Sequence, residues 1–454
     1  MAMDDEICIL IEELDRANGV RSDEYFDGLV FPNFVRADDG FECHFTEISI
    51  RCLNNISHLL HSNLDGSAPR IQIPELSKLV RVAVANLYAE GELRSVDNGF
   101  VRKSKRLLTA RVLKMLEESA GSFTHFFPVW VGGIEQKGAL NFGSVSLVCI
   151  SEWINSVNFD PRLVGEKVDP RWKDVVIGKA DLDSIDAKSV PLVGGIVRAM
   201  SYCNAVISVP VVYFEFEYSR KLGRIVGKTL LDTISLLYED AEIFQMQVIS
   251  DERLAPLDVA YLSSRDGHLG VSGGRWKFRH PFGSRRNHDV HMRVFELREA
   301  VAKVLEGLLS EKSAKHPRLA ARWATALNWF AEGCRESEDA IAIAKIGTCL
   351  DVLSCGGRSD GITEMVCNLT GRSRDSIATT GSNPRTLKVL VGRIYEYGRS
   401  QVLHGNHVDR LKSFANDRYV AGQLAGHVLR EALARLGSYN GSDEDDAFRC
   451  MRQS

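Results

Sequence analysis

The sequence predicts a multidomain α+β protein in which a mixed helical and strand-containing N-terminal region precedes an all-helical C-terminal bundle. Three observations predict this class. The chain has 454 residues, enough for two to four domains at roughly 100–200 residues each. Runs rich in Val, Ile, Phe and Tyr, bounded by Gly and Pro as strands are, occur within 119–288. From residue 289 almost to the end, apolar residues recur at helical spacing.

Residues 1–118 are predicted to be mainly helical. Pro74 stands at a plausible first-turn position before an apolar-periodic segment, and a second helix is expected over Lys103–Glu118. In the following domain, 119–288, a helix over Arg224–Tyr238 would pack on a sheet. The expected strands are Phe123–Val131, Ser144–Ile150 and Ala205–Phe216.

Basic residues alternate with aromatic residues and glycines in a predicted loop at 265–288. Such side chains together can contact phosphates and stack on bases, which makes the loop a candidate RNA contact. The alternative is an ordinary solvated hairpin or crossover loop. The RNA-binding candidates are Arg275, Trp276, Lys277, Arg279, Arg285 and Arg286.

The C-terminal domain is predicted as helices over 289–440, including one long amphipathic helix at Val290–Leu309. Over 301–440 there are 19 Lys and Arg against 14 Asp and Glu, so this part is basic while the whole chain carries −4. The acidic tail at 441–454 is expected to be a frayed, solvated end.

Composition excludes several classes of protein. With 44% hydrophobic and 26% charged residues the chain is an ordinary globular one, and its net charge gives no global footprint for nucleic acid or membrane, so any polyanion site must be local. The longest nearly apolar stretch is far below the ~20 residues that span a bilayer. Acidic residues occupy the N-terminus, where a secretory signal needs basic ones. We therefore expect a cytoplasmic protein without membrane contact.

Cysteine spacing and glycine patterns give no sign of a metal or cofactor. The ten cysteines are scattered without a Cys-x-x-Cys pair, which indicates neither a disulfide framework nor a zinc ribbon. Residues 1–288 contain no GxxxxGK[ST] or GxGxxG phosphate loop. We expect no metal and no cofactor.

The helix predicted over Pro384–Leu403 ends in a sequence suited to phosphodiester chemistry. Its last residues and those that follow read Arg399-Ser400-Gln401-Val402-Leu403-His404-Gly405. A histidine that exchanges protons near neutral pH is suited to general acid–base catalysis, and a guanidinium can hold a phosphate and stabilise developing charge. On a straight helix Arg399 and His404 diverge by roughly 140°, so joint action requires a helix end at His404 or a partner chain.

The motif resembles the Arg-x4-His motif of HEPN domains, closest to the Apea-like HEPN group. Ala326–Phe330 resembles the first long helix of that family. Ala342–Leu353 resembles the second, with Asp351 where an acid, more commonly Glu, lies in an apolar run. The resemblance covers about 317–437, under a third of the chain. Because the same Arg-x4-His spacing also begins at Arg275 and Arg286, spacing alone does not identify the site.

The resemblance implies a metal-independent endoribonuclease in which two HEPN domains pair and both motifs line one cleft. The ribose 2′-hydroxyl would attack the adjacent phosphorus and leave a cyclic phosphate. By position, His404 would be the general acid or base, Arg399 the phosphate clamp, Ser400 the group that orients them, and Asp351 would fix Arg399 by a charge-assisted hydrogen bond.

The implied partners are an RNA substrate, a second copy bound through the C-terminal domain, and a phage-derived or protein trigger. The N-terminal region would then act as sensor or target binder. Family members are widely found in toxin and anti-phage systems, which implies a part in antiviral defence or abortive infection.

Two other interpretations remain open. The domain could be a non-catalytic HEPN module that binds nucleotide, RNA or a protein partner, or a helical scaffold whose motif is accidental. Exposure of Arg399 and His404 in a positive cleft would favour the nuclease, whereas burial of either in a salt bridge would favour binding. Ser400 could simply bond back to the carbonyl of Glu396.

Overall fold

The protein is a mainly helical α+β protein, about 64% helical with small sheets, which is compatible with the predicted mixed class. The computed structural model describes the following residues: 3–19, 33–64, 68–93, 98–134, 138–160, 168–252, 261–265, 268–272, 284–310, 313–380, 384–405 and 413–451. The chain divides into two compact units. Unit 1 comprises Met1–Phe123 and Val211–Lys221, and unit 2 comprises Thr124–Pro210 and Leu222–Ser454. This division differs from the contiguous domains predicted, because a later segment of the chain returns to unit 1.

Over the residues that the structure describes up to residue 119, unit 1 contains four helices and a small hairpin. The helices are α1 (Met3–Gly19), α2 (Glu47–Asn63), α3 (Ile73–Ala89) and α4 (Asn98–Ser119), and the antiparallel strands are β1 (Phe34–Arg36) and β2 (Glu42–His44). Pro74 lies in the first turn of α3, as predicted, and Thr46 caps α2 by accepting from the Ser49 amide at 3.1 Å. Apolar residues of all four helices form one core, with Ile11, Val84 and others fully buried.

The largest sheet has the strand order β3-β6-β5-β4. Its strands are β3 (Ala120–Val129), β4 (Leu140–Phe142), β5 (Val145–Cys149) and β6 (Ala205–Glu215), so strands lie in all three segments where they were predicted. Strands β4 and β5 form a hairpin whose turn contains Gly143 at φ +64, a conformation that favours glycine. Strand β5 pairs antiparallel with β6, with Leu147 opposite Ile207.

Short helices and one long helix accompany this sheet. They are α5 (Ile150–Ser156), α6 (Trp172–Val176), α7 (Val190–Met200), α8 (Phe216–Leu237) and α9 (Ile243–Met246), with a 3-10 turn at Leu182–Ser184. The helix predicted at Arg224–Tyr238 falls within α8 apart from its last residue. Trp153, Trp172 and Val193 belong to a cluster of buried residues in unit 2.

The predicted RNA-contacting loop is only partly described. Its first residue is the last of β7 (Tyr261–Arg265), and it includes the whole of β8 (His268–Ser272), which pairs with β7 in an antiparallel hairpin. It ends inside helix α10 (Ser284–Glu296). Arg285 and Arg286 belong to the first turn of α10 rather than to a loop. The other four candidates, Arg275, Trp276, Lys277 and Arg279, lie outside the described residues.

The C-terminal part of the chain is mostly helical. Its elements after α10 are α11 (Arg298–Leu309), α12 (Pro317–Arg335), α13 (Asp339–Leu353), α14 (Arg358–Thr370), the strands β9 (Ile377–Thr379) and β10 (Arg385–Thr386), α15 (Leu387–Arg393), a π-helical segment (Ile394–Ser400), α16 (Gln401–Leu403), α17 (Ala415–Ser438) and α18 (Ala447–Cys450). The prediction of one helix over Val290–Leu309 is wrong, because Leu297 leaves the helical conformation with φ −94 and ψ 3.

The acidic tail is folded rather than frayed over its described residues. The Asp443 carboxylate accepts hydrogen bonds from the backbone amides of Arg318 and Leu319, at 2.9 and 3.0 Å, and so caps α12. Phe448 of α18 is fully buried. A short apolar segment after the acids thus anchors the tail. The acidic composition of the tail did not indicate this anchor.

The described helices are short or polar compared with a membrane span. No single one of them has both the length and the apolar composition to cross a bilayer, whereas α13 and α14, bent by 71°, meet that test only as a pair.

Candidate active site

Helix α13 and the π-helical segment pack closely because each carries a glycine at their contact. A Cβ atom added to Gly347 of α13 would lie 2.8 Å from the Cβ atom of Arg399. A Cβ atom added to Gly398 would lie 3.0 Å from a side-chain carbon of Ile343. The two backbones therefore approach to a distance that a larger residue at either position would disturb.

The helix carrying the motif is not the straight α-helix that the sequence predicts. It begins at Leu387, where the Thr386 hydroxyl caps it by accepting from the Val389 amide at 3.4 Å. It then widens over Ile394–Ser400, and the amide of Gln401 donates to the carbonyl of Glu396, five residues back. Such π-helical turns are rare and frequently occur at functional sites. The apolar spacing of the segment gives no signal of the widening.

Arg399 is held along one side by an acid and an aromatic ring. Its Nη2 lies 3.1 Å from Oδ2 of Asp351, and its guanidinium carbon lies 5.3 Å from the centre of the Tyr395 ring. The side chains of Arg399 and Asp351 are 26% and 18% exposed, so the ion pair is half-buried and reachable from solvent. Nε of Arg399 is buried and has no hydrogen-bond partner among the described residues. The contact between Arg399 and Asp351 is the one that the resemblance implies.

His404 is exposed at the end of the helix. Its amide donates to the carbonyl of Ser400 at 3.0 Å, and the next residue, Gly405, turns the chain away at φ +70. This is the glycine-capped helix end that the sequence predicts. Among the described residues, no hydrogen bond involves the imidazole or the Ser400 hydroxyl. The Ser400 hydroxyl therefore does not donate to the carbonyl of Glu396 there.

The structure thus joins two of the four predicted site residues by a direct contact and leaves the other two beside them. Arg399 pairs with Asp351, while Ser400 follows Arg399 and is joined to His404 through its backbone. Within the part of the chain that the structure describes, no hydrogen bond or ion pair connects Arg399 to His404. A ligand that engages both must therefore bridge them.

A second charged cluster, which sequence reasoning missed, fixes the start of the π-helical segment. Arg393, the last residue of α15, donates from Nε and Nη2 to the two oxygens of Asp417 at 2.8 and 2.7 Å, and Arg385 adds a third contact at 3.3 Å. These hydrogen bonds, led by that of Arg393, hold the pKa of the Asp417 carboxyl below its usual range. The cluster ties the helix before the motif to the first turn of α17.

A cavity of about 840 Å³ is lined in part by α13. Ile346 lines it, one residue before the Gly347 that contacts Arg399. Its lining includes the edge-to-face pair Phe244 and Phe330, whose ring centres are 5.5 Å apart. Four acids, Arg418 and Arg430 line it as well. A cavity of this size and mixed lining can hold a small organic molecule.

In the described ranges, no group of three or more His, Cys, Asp or Glu side chains is arranged to hold a metal ion. The chain matches no family model, no curated protein and no solved structure.

Proposed function

We propose that the protein is a metal-independent endoribonuclease in which His404 moves protons and Arg399 binds the scissile phosphate. The proposal is supported by one observation above all. A half-buried guanidinium, held by Asp351 at 3.1 Å, stands in a π-helical turn that ends four residues before an exposed imidazole. These are the two kinds of side chain that phosphodiester cleavage requires when no metal supplies the charge.

In the proposed reaction the imidazole of His404 takes the proton of a ribose 2′-hydroxyl. The 2′-oxygen then attacks the adjacent phosphorus and the bond from phosphorus to the 5′-oxygen breaks. The departing 5′-oxygen receives a proton from an imidazolium, either the same one or that of a second chain. The products are a 2′,3′-cyclic phosphate and a 5′-hydroxyl.

Arg399 and its neighbours would supply the electrostatic part of catalysis. The guanidinium would donate to the non-bridging phosphate oxygens, on which negative charge builds as the phosphorus becomes five-coordinate. Asp351 orients the guanidinium from one side, and the Ser400 hydroxyl is available to orient either the phosphate or the imidazole. Because one chain carries one such histidine, a symmetric dimer would place two at one phosphate.

The test compares cleavage of total cellular RNA by the wild type, Arg399→Ala and His404→Ala. Each variant should lose activity by about 10²–10⁴-fold, the usual contribution of a general acid–base group. Arg372→Ala and His58→Ala, both at exposed residues outside the motif, are matched controls and should cleave at the wild-type rate. Equal cleavage by His404→Ala and the wild type would exclude the proposed role of this residue.

A second candidate function is a non-catalytic module that binds nucleotide, RNA or a protein partner. The observation that favours it is the salt bridge of Arg399, since an arginine neutralised by Asp351 has less charge to offer a phosphate. The 840 Å³ cavity would then be the binding site. Saturable binding of RNA or nucleotide without any cleavage, unchanged in His404→Ala, would support this candidate over the nuclease.

We further propose antiviral defence or abortive infection as the biological setting, with a homodimer formed in the cytoplasm and the N-terminal region as sensor or target binder. Phage infection of cells that carry the wild-type chain should then arrest growth, and cells that carry His404→Ala should not. Growth arrest that is identical with both chains would separate any defence role from the nuclease.

A further inference from the structure

Helix α4 of unit 1 presents a basic face that the proposed nuclease site does not use. Six basic residues lie in this helix against two glutamates, although the whole chain is acidic. Its apolar stripe, which includes Val101, Leu108 and Val112, is buried in the core of unit 1. The residues of the basic face line one shallow groove of about 420 Å³: Arg102, Lys105, Arg106, Thr109, Ala110 and Leu113.

Helical spacing brings these six residues together. At 100° per residue they fall within an arc of about 140°, and they extend over about 16 Å along the axis. Arg102 and Arg106 are four residues apart, which places two guanidinium groups on adjacent turns of the exposed surface. Thr109 and Ala110 have small side chains, so a strand of ligand could approach the helix backbone beside the charges.

The other basic residues of α4 are neutralised within unit 1, but these two arginines are not. Lys103 pairs with Glu92, Lys105 with Asp4, and Arg111 with Glu90, each at 2.8 Å. Lys114 lies 3.8 Å from Glu118. Arg102 and Arg106 make no hydrogen bond or ion pair with any residue that the structure describes. Like charges at this spacing disfavour a helix by a few tenths of a kcal/mol, and a bound polyanion would remove that cost.

We infer that this basic face binds the phosphate backbone of RNA. The inference rests on the proposed function, because that function identifies the polyanion as RNA. It assigns substrate binding to unit 1. Charge complementarity carries it, because two free guanidinium groups on adjacent turns match a strand of phosphates. An anionic membrane is the poorer match, since surface-binding helices also insert large apolar residues and this groove contains only Leu113.

The test is the salt dependence of RNA binding by the full chain carrying His404→Ala, which separates binding from cleavage. The probe is a fluorescent single-stranded RNA of mixed sequence. Adding Arg102→Gln and Arg106→Gln should weaken binding and reduce the slope of log K against log salt by about 1.4, or about 0.7 for each lost contact. Lysine at both positions should retain the slope. Arg111→Gln, on the same helix and paired with Glu90, is the matched control and should bind as its parent does.

Three results would overturn the inference. One is an unchanged affinity and slope in the double glutamine variant. Another is an equal loss in Arg111→Gln, which would point to a general effect of charge. The third is loss of binding to anionic vesicles without loss of RNA binding. Because the readout is binding, the two proposals can fail separately. If the wild type cleaves RNA but the double glutamine variant keeps the salt slope, only the basic face is rejected. If the variant changes the slope but the wild type does not cleave RNA, only the nuclease is rejected.

Discussion

Asp351 touches Arg399 at one edge only, so its contribution should be to orientation rather than to folding. Asp351→Asn keeps the shape of the side chain and removes its charge. We expect cleavage to fall by at least tenfold, whereas the free energy of unfolding should change by about 1 kcal/mol or less, because the ion pair is partly solvated. Asp351→Glu retains a carboxylate and should recover most of the rate. Wild-type cleavage by Asp351→Asn would show that the salt bridge plays no part in the site.

Asp417 should contribute stability that depends on pH. Its hydrogen bonds from Arg393 lower its pKa below the ordinary 3.8, so the folded state favours the carboxylate. The stabilisation is therefore fully present above the ordinary pKa and is lost as the pH falls below it. Urea unfolding should give Asp417→Asn a free energy of unfolding about 1.5–3 kcal/mol below that of the wild type at neutral pH. Below pH ~4 the unfolding free energy of the variant should fall less steeply with pH than that of the wild type. Asp360→Asn, at an exposed residue, is the control and should show the wild-type dependence of unfolding free energy on pH. An equally steep fall with acid in Asp417→Asn and the wild type would contradict the role of Asp417.

Individual contacts were predictable from the sequence only where a resemblance supplied them. Asp351 and Arg399 are 48 positions apart, and only the likeness to a family motif paired them. No such guide existed for Asp417, whose two arginine partners lie 24 and 32 positions earlier in the chain. Nor did composition reveal that Asp443 caps α12, since an acidic end of a chain usually remains solvated. Tertiary packing decides which residues pair when they are this far apart in the sequence. The local sequence around each residue gives no signal of its partner.

At the scale of the element, the π-helical segment depends on close packing against α13. Gly347→Ala would place a methyl group 2.8 Å from the Cβ atom of Arg399, so either the helices separate or the arginine moves. We expect a loss of about 1–3 kcal/mol in unfolding free energy and a marked loss of cleavage. Gly392→Ala is the matched control, because nothing lies within 4 Å of the added atom. That variant should be as stable as the wild type or more so, since alanine favours a helix by about 0.5–1 kcal/mol over glycine.

Periodicity predicted most elements, and its failures have physical causes. Strands were predicted in the correct segments because alternating and β-branched residues mark a half-buried sheet, as in β5 and β6. The break at Leu297 went undetected, because the apolar period continues through it from α10 into α11. The π-helical turn was missed for a similar reason. Leu387, Val391, Ile394 and Gly398 recur at helical spacing in the helix predicted over Pro384–Leu403, and all four are buried although the segment from Ile394 onward is π-helical.

At the scale of the whole molecule, the proposed mechanism makes activity depend on pairing of chains. If both motifs line one cleft, a chain carrying Arg399→Ala should impair the wild-type chain with which it pairs. Mixing the two at increasing ratios, with time for exchange, should lower cleavage per wild-type chain. Activity that stays strictly proportional to the amount of wild type would indicate a site complete within one chain.

The central claim is that the ribose 2′-hydroxyl is the nucleophile and that this protein's own side chains activate it. The most direct measurement is the chemistry of the cut ends in excess EDTA, with an RNA oligonucleotide that carries one cleavage position and its copy with a single 2′-deoxyribose there. We predict 2′,3′-cyclic phosphate and 5′-hydroxyl ends from the all-ribose substrate and no cut at the deoxyribose. Cleavage of the deoxy copy, or loss of all cleavage in EDTA with rescue by a divalent ion, would contradict the account.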